Sequence, residues 1–218
     1  MLNKRLEAII SMIASNSIVS DVGCDHALLV CELVKRKIIN KAYAMDVNEK
    51  PLNQARKSIK EYNLETNIDV LLSNGLARLP KDADTLVIAG MGYETCKIIL
   101  ENDLNKLQQF NTIIIQVNRD VTKLRQWISD HNFTIQNEKI ILDRHYYQII
   151  AFNTKYHDQY TIKEIEFGPI LINQKNNTFI EYYKKQLTKL ETTLFKVTTI
   201  NKKESIIDSI SKINNILK

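Results

Sequence analysis

The sequence contains few glycines and no long apolar run. Only five glycines occur in 218 residues, and glycine permits positive φ angles and close approach of the backbone to a ligand, so each position is expected to matter. No apolar run approaches the roughly 18 residues of a membrane span, which excludes an integral membrane helix. The first residues do not lead into the apolar stretch and cleavage site of a signal peptide. We therefore expect a soluble, cytoplasmic protein without a membrane partner.

Cysteine usage excludes two common stabilising devices. The three cysteines, Cys24, Cys31 and Cys96, are odd in number and contain no C-x-x-C pair. This pattern argues against a disulfide framework and against a zinc knuckle. Cys24, His26 and Cys31 are close in sequence, but their spacing fits no tetrahedral site and a fourth ligand is missing. We therefore expect buried thiols and no bound metal.

Charge is distributed unevenly along the chain. Residues 155–218 carry 11 Lys and Arg against 7 Asp and Glu, whereas residues 1–154 carry 19 against 18. The tail thus contributes +4 of the net charge of +5, a bias that favours a polyanionic partner such as a nucleic acid. A solvated helix face, or a genome composition rich in Lys, Asn and Ile codons, is an equally good explanation of this bias.

Hydrophobic periodicity indicates an α/β fold. Apolar residues recur at helical spacing from Leu6 to Ile13, which predicts a first helix near residues 3–14. Short β-branched runs then alternate with segments of helical period, which is typical of a parallel sheet with helices on both faces. The predicted strands are Ile18–Val22, Ala42–Asp46, Ile68–Leu72, Thr85–Ala89 and Thr112–Gln116, and the predicted helices lie near 27–37, 50–62, 93–109 and 120–130.

Two further strands are predicted to pair with each other. Phe133–Leu142 and Tyr146–Phe152 are separated only by Asp143-Arg144-His145, which leaves no room for a crossover helix, so the two strands should be antiparallel. Seven strands ending in such a hairpin describe the Rossmann-like fold of most S-adenosylmethionine methyltransferases. The second and third glycines of a G-x-G-x-x-G motif are absent after Gly23, which counts against a dehydrogenase.

The C-terminal part has a different pattern. Apolar residues from Ile180 to Val197 alternate at spacings of three and four, and the same spacing recurs from Ile206 to Leu217, which is typical of coiled-coil seams. Thr198–Ser205 interrupts the pattern, so the two segments are predicted to fold back as a helical hairpin. We therefore expect a Rossmann-like domain over residues 1–154 and a coiled-coil helical domain over 155–218.

Glycines and polar residues cluster where the predicted strands end. Gly23 supplies the tight turn that a nucleotide-binding sheet needs after its first strand. Asp46 follows about 20 residues later, at the end of the second strand, where an acidic residue binds ribose hydroxyls. Ordinary turns and helix caps are the alternative explanation for several of these positions. The predicted cofactor site comprises Asp21, Gly23, Asp25, His26, Asp46, Val47, Asn48, Asn74, Gly75, Ala89, Gly90, Met91 and Gly92.

The same loops match the pattern of one enzyme family. The motifs are Asp21-Val-Gly-Cys-Asp-His-Ala27, Asp46-Val-Asn48, Asn74-Gly-Leu76, Ile88-Ala-Gly-Met-Gly92 and Gln116-Val-Asn118. Together they resemble the bacterial tRNA adenine-22 N1-methyltransferase family, TrmK. The resemblance implies S-adenosyl-L-methionine as methyl donor, tRNA as substrate, and methylation of N1 of the adenosine at position 22 in the D-arm region. The chain departs from the family pattern at Asp46, Asn74, Tyr93 and Val117.

Few side chains are needed for this reaction, because adenine N1 carries no proton at neutral pH and alignment supplies most of the rate. Asp25 is the candidate for stabilising the cationic product, with capping of the helix near 27–37 as the alternative. Asn118 is the candidate for binding the adenine edge, so Asp25 and Asn118 are the predicted catalytic residues. His26 is expected to contact the base or cofactor, or to be an ordinary hydrogen-bonded histidine. Tyr93 is expected to stack on the base, or to pack in the core.

Contacts to tRNA are predicted for basic side chains. Arg5 lies near the predicted site, and Lys184, Lys185 and Lys189 lie on the first C-terminal helix, where solvent exposure alone is the alternative explanation. We expect a monomer. Two other functions fit the same residues: a non-catalytic protein that binds S-adenosylmethionine and tRNA, and a methyltransferase of this fold that acts on protein or a small molecule.

Overall fold

The computed structural model describes residues 3–218 and contains one mixed sheet. Its seven strands are β1 (Ile18–Val22), β2 (Lys41–Asp46), β3 (Ile68–Leu72), β4 (Thr85–Met91), β5 (Thr112–Val117), β6 (Phe133–Asp143) and β7 (His145–Tyr156). Their order is β3-β2-β1-β4-β5-β7-β6. The first five strands are parallel, and β7 is antiparallel to both β5 and β6. The predicted seven-stranded α/β fold with a terminal hairpin is confirmed.

Helices cover both faces of the sheet. They are α1 (Lys4–Ile10), α2 (Leu28–Lys35), α3 (Glu49–Glu61), α4 (Tyr93–Asn102), α5 (Val121–Asp130), α6 (Ile162–Phe167), α7 (Pro169–Gln174), α8 (Asn177–Leu194) and α9 (Ile200–Leu217). One apolar layer joins the sheet to α1, α2 and α3, and a second joins it to α4 and α5. Within residues 3–218, no helix is long and apolar enough to cross a membrane.

Two predicted helices are shorter than expected. The first ends at Ile10 rather than near residue 14, and the segment predicted over 93–109 divides at Asp103 into α4 and a 3₁₀ helix, Leu104–Gln109. Asp103 has a non-helical backbone, with φ of −134° and ψ of 37°. Asn102 and Asp103 favour such breaks because their short polar side chains compete with helical backbone hydrogen bonds.

The C-terminal segment folds back on itself, and its connection is shorter than predicted. α9 already begins at Ile200, so the expected interruption over Thr198–Ser205 is wrong for its second half. Lys and Glu in this stretch have good helix propensity even though they contribute nothing to the apolar seam. α8 and α9 pack against each other and, with α6, α7 and Ile140 of β6, enclose a third apolar cluster. β7 continues to Tyr156, past the expected domain boundary at 154.

A buried ion pair connects the C-terminal helices to the sheet. Arg125 Nε donates to Glu138 Oε1 at 2.7 Å, and both side chains are almost fully buried. Glu138 Oε2 in turn accepts from the Ile170 amide of α7 at 3.0 Å. Gly168 has a φ of +91°, and a Cβ there would lie 2.6 Å from Glu138 Oε2. Only glycine fits this position, so α6 and α7 are held at one geometry against β6.

Candidate active site

The loop after β1 has an unusual backbone. Gly23, Asp25 and Ala27 all have positive φ angles, of 78°, 49° and 54°. The amides of Gly23 and Cys24 both donate to the Met45 carbonyl, at 2.8 and 3.1 Å, which fixes the loop against the end of β2. A Cβ at Gly23 would lie 2.0 Å from Met91 Cε. Positive φ at two non-glycine residues costs energy and is typical of functional loops.

This loop forms one wall of a cleft at the carboxyl ends of β1, β2 and β4. The first cleft has a volume of about 460 Å³. It brings together eight of the predicted cofactor residues and one predicted substrate residue: Asp21, Gly23, Asp25, His26, Asp46, Ala89, Gly90, Met91 and Arg5. Residues that the sequence pattern grouped therefore line one cleft.

A second cleft of about 320 Å³ adjoins the first. The two share Gly23, Asp46 and Met91, so Asp46 lies where they meet. The second cleft adds the predicted residues Val47, Asn48, Asn74 and Gly75. Gly92 lines neither cleft and is instead the residue preceding α4.

Asp21 is the buried acidic group of the first cleft. Its side chain is 5% exposed. Burial, and to a smaller extent the nearby Asp46, raise its pKa from 3.8 to about 7, against the opposing charge of Arg5. Within residues 3–218 no group donates a hydrogen bond to this carboxylate. A buried carboxylate without a donor is costly, so this position favours a ligand that presents a cationic donor.

Backbone amides lie at the opposite side of the same cleft. α2 begins after Ala27, and no side chain caps its N-terminus. Leu28 and Leu29, in the first turn, line the cleft together with His26. Uncapped amides at a helix N-terminus attract anions, because the helix dipole adds to their hydrogen-bonding capacity. The first cleft thus offers complementary sites for a positive and a negative group of one ligand.

The second cleft combines a fixed carboxylate with apolar walls. Asp46 Oδ1 accepts from the Asn48 amide at 2.9 Å, which orients the carboxylate; the Asn48 side chain itself does not cap α3. Val47 and Ile98 are large apolar side chains that remain 56% and 59% exposed, and both line this cleft. Such walls suit a flat aromatic ring, and Asp46 suits a pair of hydroxyl groups beside it.

Asp25 does not cap α2. The residue at the N-cap is Ala27, and the Asp25 carboxylate lies in the cleft with 77% of the side chain exposed. Its nearest charged neighbour is His26 Nε2 at 3.6 Å. The capping alternative is therefore wrong, since Asp25 lies two residues before the N-cap and its side chain accepts no hydrogen bond from the α2 amides.

Tyr93 and Asn118, the two predicted base contacts, both make contacts within the protein. The Tyr93 side chain packs in the apolar layer under α4, and Tyr93 is 9% exposed. The Asn118 amide nitrogen donates to the Gly90 carbonyl at 2.7 Å, and its oxygen accepts from Gln116 Nε2 at 3.3 Å. The burial of Tyr93 favours the packing alternative over stacking on the base. Asn118 positions the loop after β4 and lies outside both clefts.

The three cysteines lie in the two apolar layers that flank the sheet. All three cysteines are free and buried, as predicted, and burial raises the pKa of the Cys31 thiol to about 11. Within the described residues, no group of three or more His, Cys, Asp or Glu side chains is arranged to hold a metal ion.

Comparison with known proteins decides the family. A family model described as TrmK, tRNA (adenine(22)-N(1))-methyltransferase, matches residues 19–217. The chain belongs to the TrmK family. The tRNA (adenine(22)-N(1))-methyltransferase of Bacillus subtilis is 27% identical over 193 residues, covering 85% of this chain and 81% of that protein.

Solved TrmK-like structures share the whole fold. The structure of M. capricolum TrmK in complex with S-adenosyl-homocysteine is 34% identical, covers 100% of both chains and has a TM-score of 0.86. A Streptococcus pneumoniae protein in complex with S-adenosyl-L-methionine is 32% identical, covers 100% of both chains and has a TM-score of 0.90. The C-terminal helices are therefore part of the shared architecture of the family.

Two further concave surfaces lie beside the clefts of this TrmK family member. The side cavity, of about 490 Å³, is lined by Asn3, Arg5, Asn118, Asp143, Arg144 and Tyr147. It shares Asn3 and Arg5 with the first cleft. Arg5 Nη1 donates to Gln116 Oε1 at 2.9 Å, and that oxygen also accepts from the Gly90 amide. Arg5 is thereby fixed between the first cleft and the side cavity.

The basic groove lies along α8. It is lined by residues of that helix, by Lys196 just beyond its C-terminal end, and by the start of the β6–β7 hairpin, including Arg144, His145, Lys185 and Lys189. The predicted residues Lys185 and Lys189 therefore share one surface, whereas Lys184 does not line it.

Sequence reasoning missed several lining residues. Ile98 and Ile99 lie on α4, where their helical period indicated only core packing. The side cavity is lined by three residues of the β6–β7 hairpin, Asp143, Arg144 and Tyr147. The sequence pattern predicted this hairpin but gave no sign that it lines a cavity. The signal for these residues in the sequence was the succession of three charged or titratable side chains, Asp143-Arg144-His145, in one short turn.

Proposed function

We propose that this chain transfers a methyl group from S-adenosyl-L-methionine to N1 of the adenosine at position 22 of tRNA, acting as a monomer on the D-arm region. Membership of the TrmK family and the pair of adjoining clefts support this function. The single observation that carries it is the buried Asp21 carboxylate, which lacks a donor and faces a cleft whose other side presents helix amides. A tRNA substrate implies a cytoplasmic reaction.

The residues present fit this cofactor. The amino-acid portion of S-adenosylmethionine carries an ammonium and a carboxylate, which match Asp21 and the α2 N-terminus with His26. Asp46 lies between the two clefts, where a ribose would join both halves of the molecule. Val47, Gly75, Ile98 and Ile99 form the apolar walls for its adenine ring, with Asn74 at the edge. When bound, the cofactor supplies an electrophilic methyl group on sulfur.

The chain contributes alignment and charge. Adenine N1 needs no general base, so the protein has to hold the base near the first cleft and exclude competing geometries, which is worth roughly 7–11 kcal/mol in well-aligned reactions. Arg5 is fixed by Gln116 at the opening toward the side cavity. Asp25, exposed in the cleft and free of a capping role, is in position to stabilise the positive charge that develops on the methylated ring.

Phosphate contacts would come from the basic groove. Lys185 and Lys189 lie on α8 and Lys196 follows its C-terminal end, with Arg144 and His145 on the same groove. Such a set of basic side chains positions an RNA backbone without reading sequence. Phe179, Tyr183, Ile206 and Ile213 bury the hairpin seam within one chain, which supports a monomer. We also propose that residues 155–218 act as the tRNA-binding domain.

The function is tested by incubating the purified protein with labelled S-adenosylmethionine and an unmodified tRNA transcript. We expect label in the tRNA and a reverse-transcription stop at position 22, and neither with a transcript carrying guanosine there. Cofactor binding without incorporation would select a non-catalytic binding protein. Incorporation into protein instead of tRNA would select a different substrate class.

A further inference from the structure

The β6–β7 turn lies between two surfaces that the reaction would use. It consists of Asp143, Arg144 and His145, with Arg144 at a φ of +56°. Arg144 lines both the side cavity and the basic groove. The turn is therefore the part of the protein that an RNA strand lying in the groove would pass before it reaches the first cleft.

The side cavity has the dimensions and the opening that a nucleoside requires. Its volume of about 490 Å³ is in the range of small-molecule sites, roughly 300–1,000 Å³. It meets the first cleft at Asn3 and Arg5. A base held in it would thus lie next to the first cleft.

Tyr147 is the aromatic side chain of this cavity. It is partly exposed, in contrast to the buried Tyr93, and the Arg5 guanidinium carbon lies 5.6 Å from its ring centroid. An aromatic ring and a guanidinium are the surfaces on which unpaired RNA bases stack.

Asp143 gives the cavity a hydrogen-bond acceptor. Its Oδ2 accepts a long hydrogen bond of 3.4 Å from the Arg5 amide, while Oδ1 receives no donor from the described residues. A carboxylate accepts from the 6-amino group of adenine but repels the 6-carbonyl oxygen of guanine. The same negative charge would favour a base that becomes cationic on methylation.

We propose that the β6–β7 hairpin forms the subsite for the target nucleotide: Tyr147 stacks on the adenine, Asp143 accepts from its 6-amino group, and Arg144 binds the adjoining phosphate. The inference rests on the proposed function and assigns base stacking to Tyr147 rather than to Tyr93, while Asn118 lines the same cavity. It also gives a role to two of the three charged or titratable residues of the turn, Asp143 and Arg144.

The stacking role is tested by steady-state kinetics on tRNA. We expect Tyr147→Ala to lower kcat/KM for tRNA about tenfold or more, Tyr147→Phe to restore most of it, and neither to change the affinity for S-adenosyl-homocysteine. Tyr156→Ala, at the exposed far end of the same strand, is the matched control and should behave as wild type. Arg144→Ala should raise KM for tRNA with little change in kcat. Wild-type kinetics in Tyr147→Ala would overturn the stacking role.

The amino-group contact is tested by a cycle that changes both partners. Wild type and Asp143→Asn are each assayed with tRNA carrying adenine, or purine without the 6-amino group, at position 22. Asparagine keeps an acceptor for the Arg5 amide, so the fold is retained. We expect the loss of the amino group to cost wild type at least fivefold more in kcat/KM than it costs Asp143→Asn. Equal fold-losses in both would overturn the inference, whereas wild type that fails to methylate adenine-22 tRNA would refute the proposed function itself.

Discussion

At the carboxyl ends of β1 and β2 three carboxylates line one cleft, whereas three lysines on and just after α8 line a groove with Arg144 and His145. The cleft is made by a tight loop with three positive φ angles, and Asp21 within it is buried. The groove is made by a regular helix with exposed side chains. The comparison indicates that a small ligand binds at a preorganised, desolvated site, whereas a large polyanion binds to exposed charges that solvent screens.

Removing the buried charge should have the largest effect on ligand binding. Asp21→Asn should weaken S-adenosyl-homocysteine binding by roughly 10- to 100-fold, because a hydrogen bond between two charged groups is replaced by a neutral one. Affinity for tRNA should change less than twofold. Asp69→Asn, an exposed position on β3, is the control. Isothermal titration calorimetry measures both ligands, and an equal loss for tRNA would contradict the separation of the two regions.

Breaking the connection between the regions should cost stability. Gly168→Ala should lower the free energy of unfolding by more than about 1 kcal/mol, because its φ of +91° and the 2.6 Å approach to Glu138 Oε2 leave no room for a methyl group. Gly92→Ala should cost only a few tenths of a kcal/mol, since nothing lies within 4 Å of a Cβ there. Urea unfolding compares the two. An unchanged free energy of unfolding in Gly168→Ala would show that α6 and α7 can shift against β6.

Reversing charge in the groove should have a moderate, salt-dependent effect. Lys185→Glu and Lys189→Glu should each weaken tRNA binding several-fold and reduce the slope of log K against log salt by about one. Cofactor affinity should not change. Lys184→Glu lies on the same helix outside the groove and should have a smaller effect. Filter binding at three salt concentrations checks this; identical slopes for all three variants would remove the groove from the tRNA interface.

The smallest effect concerns pH. The pKa of Asp21 is raised from 3.8 to about 7 in the folded chain. Between these pH values the folded state therefore binds more protons than the unfolded state. The free energy of unfolding consequently declines as the pH rises toward 7. Asp21→Asn removes this decline. Without cofactor, the melting temperature of the variant relative to wild type should therefore be higher at pH 8 than at pH 5. A difference independent of pH would contradict the buried, donor-free state of Asp21.

Much of the fold followed from local pattern, and so did the grouping of the predicted cofactor residues at one edge of the sheet. β1 and β3 were predicted to the residue, because β-branched runs bounded by polar turns leave little choice. Asp21, Gly23, Asp46 and Gly75 were recognised because parallel strands bring their carboxyl ends to one edge. The short helices α6 and α7 and the Arg125–Glu138 pair were not predicted, since they depend on burial between segments distant in sequence.

The sequence by itself determined the alternation of strands and helices, the cofactor edge and the family, because these depend on periodicity and on residue types at strand ends. Tertiary structure alone decided that Tyr93 is buried while Tyr147 faces a cavity, that Asp25 is free of the helix it precedes, and that Arg144 joins groove to cavity. The reason is geometric, because which side chains share a surface depends on how the β6–β7 hairpin, α1 and α8 pack together. These elements are distant in sequence, so no local pattern predicts their packing.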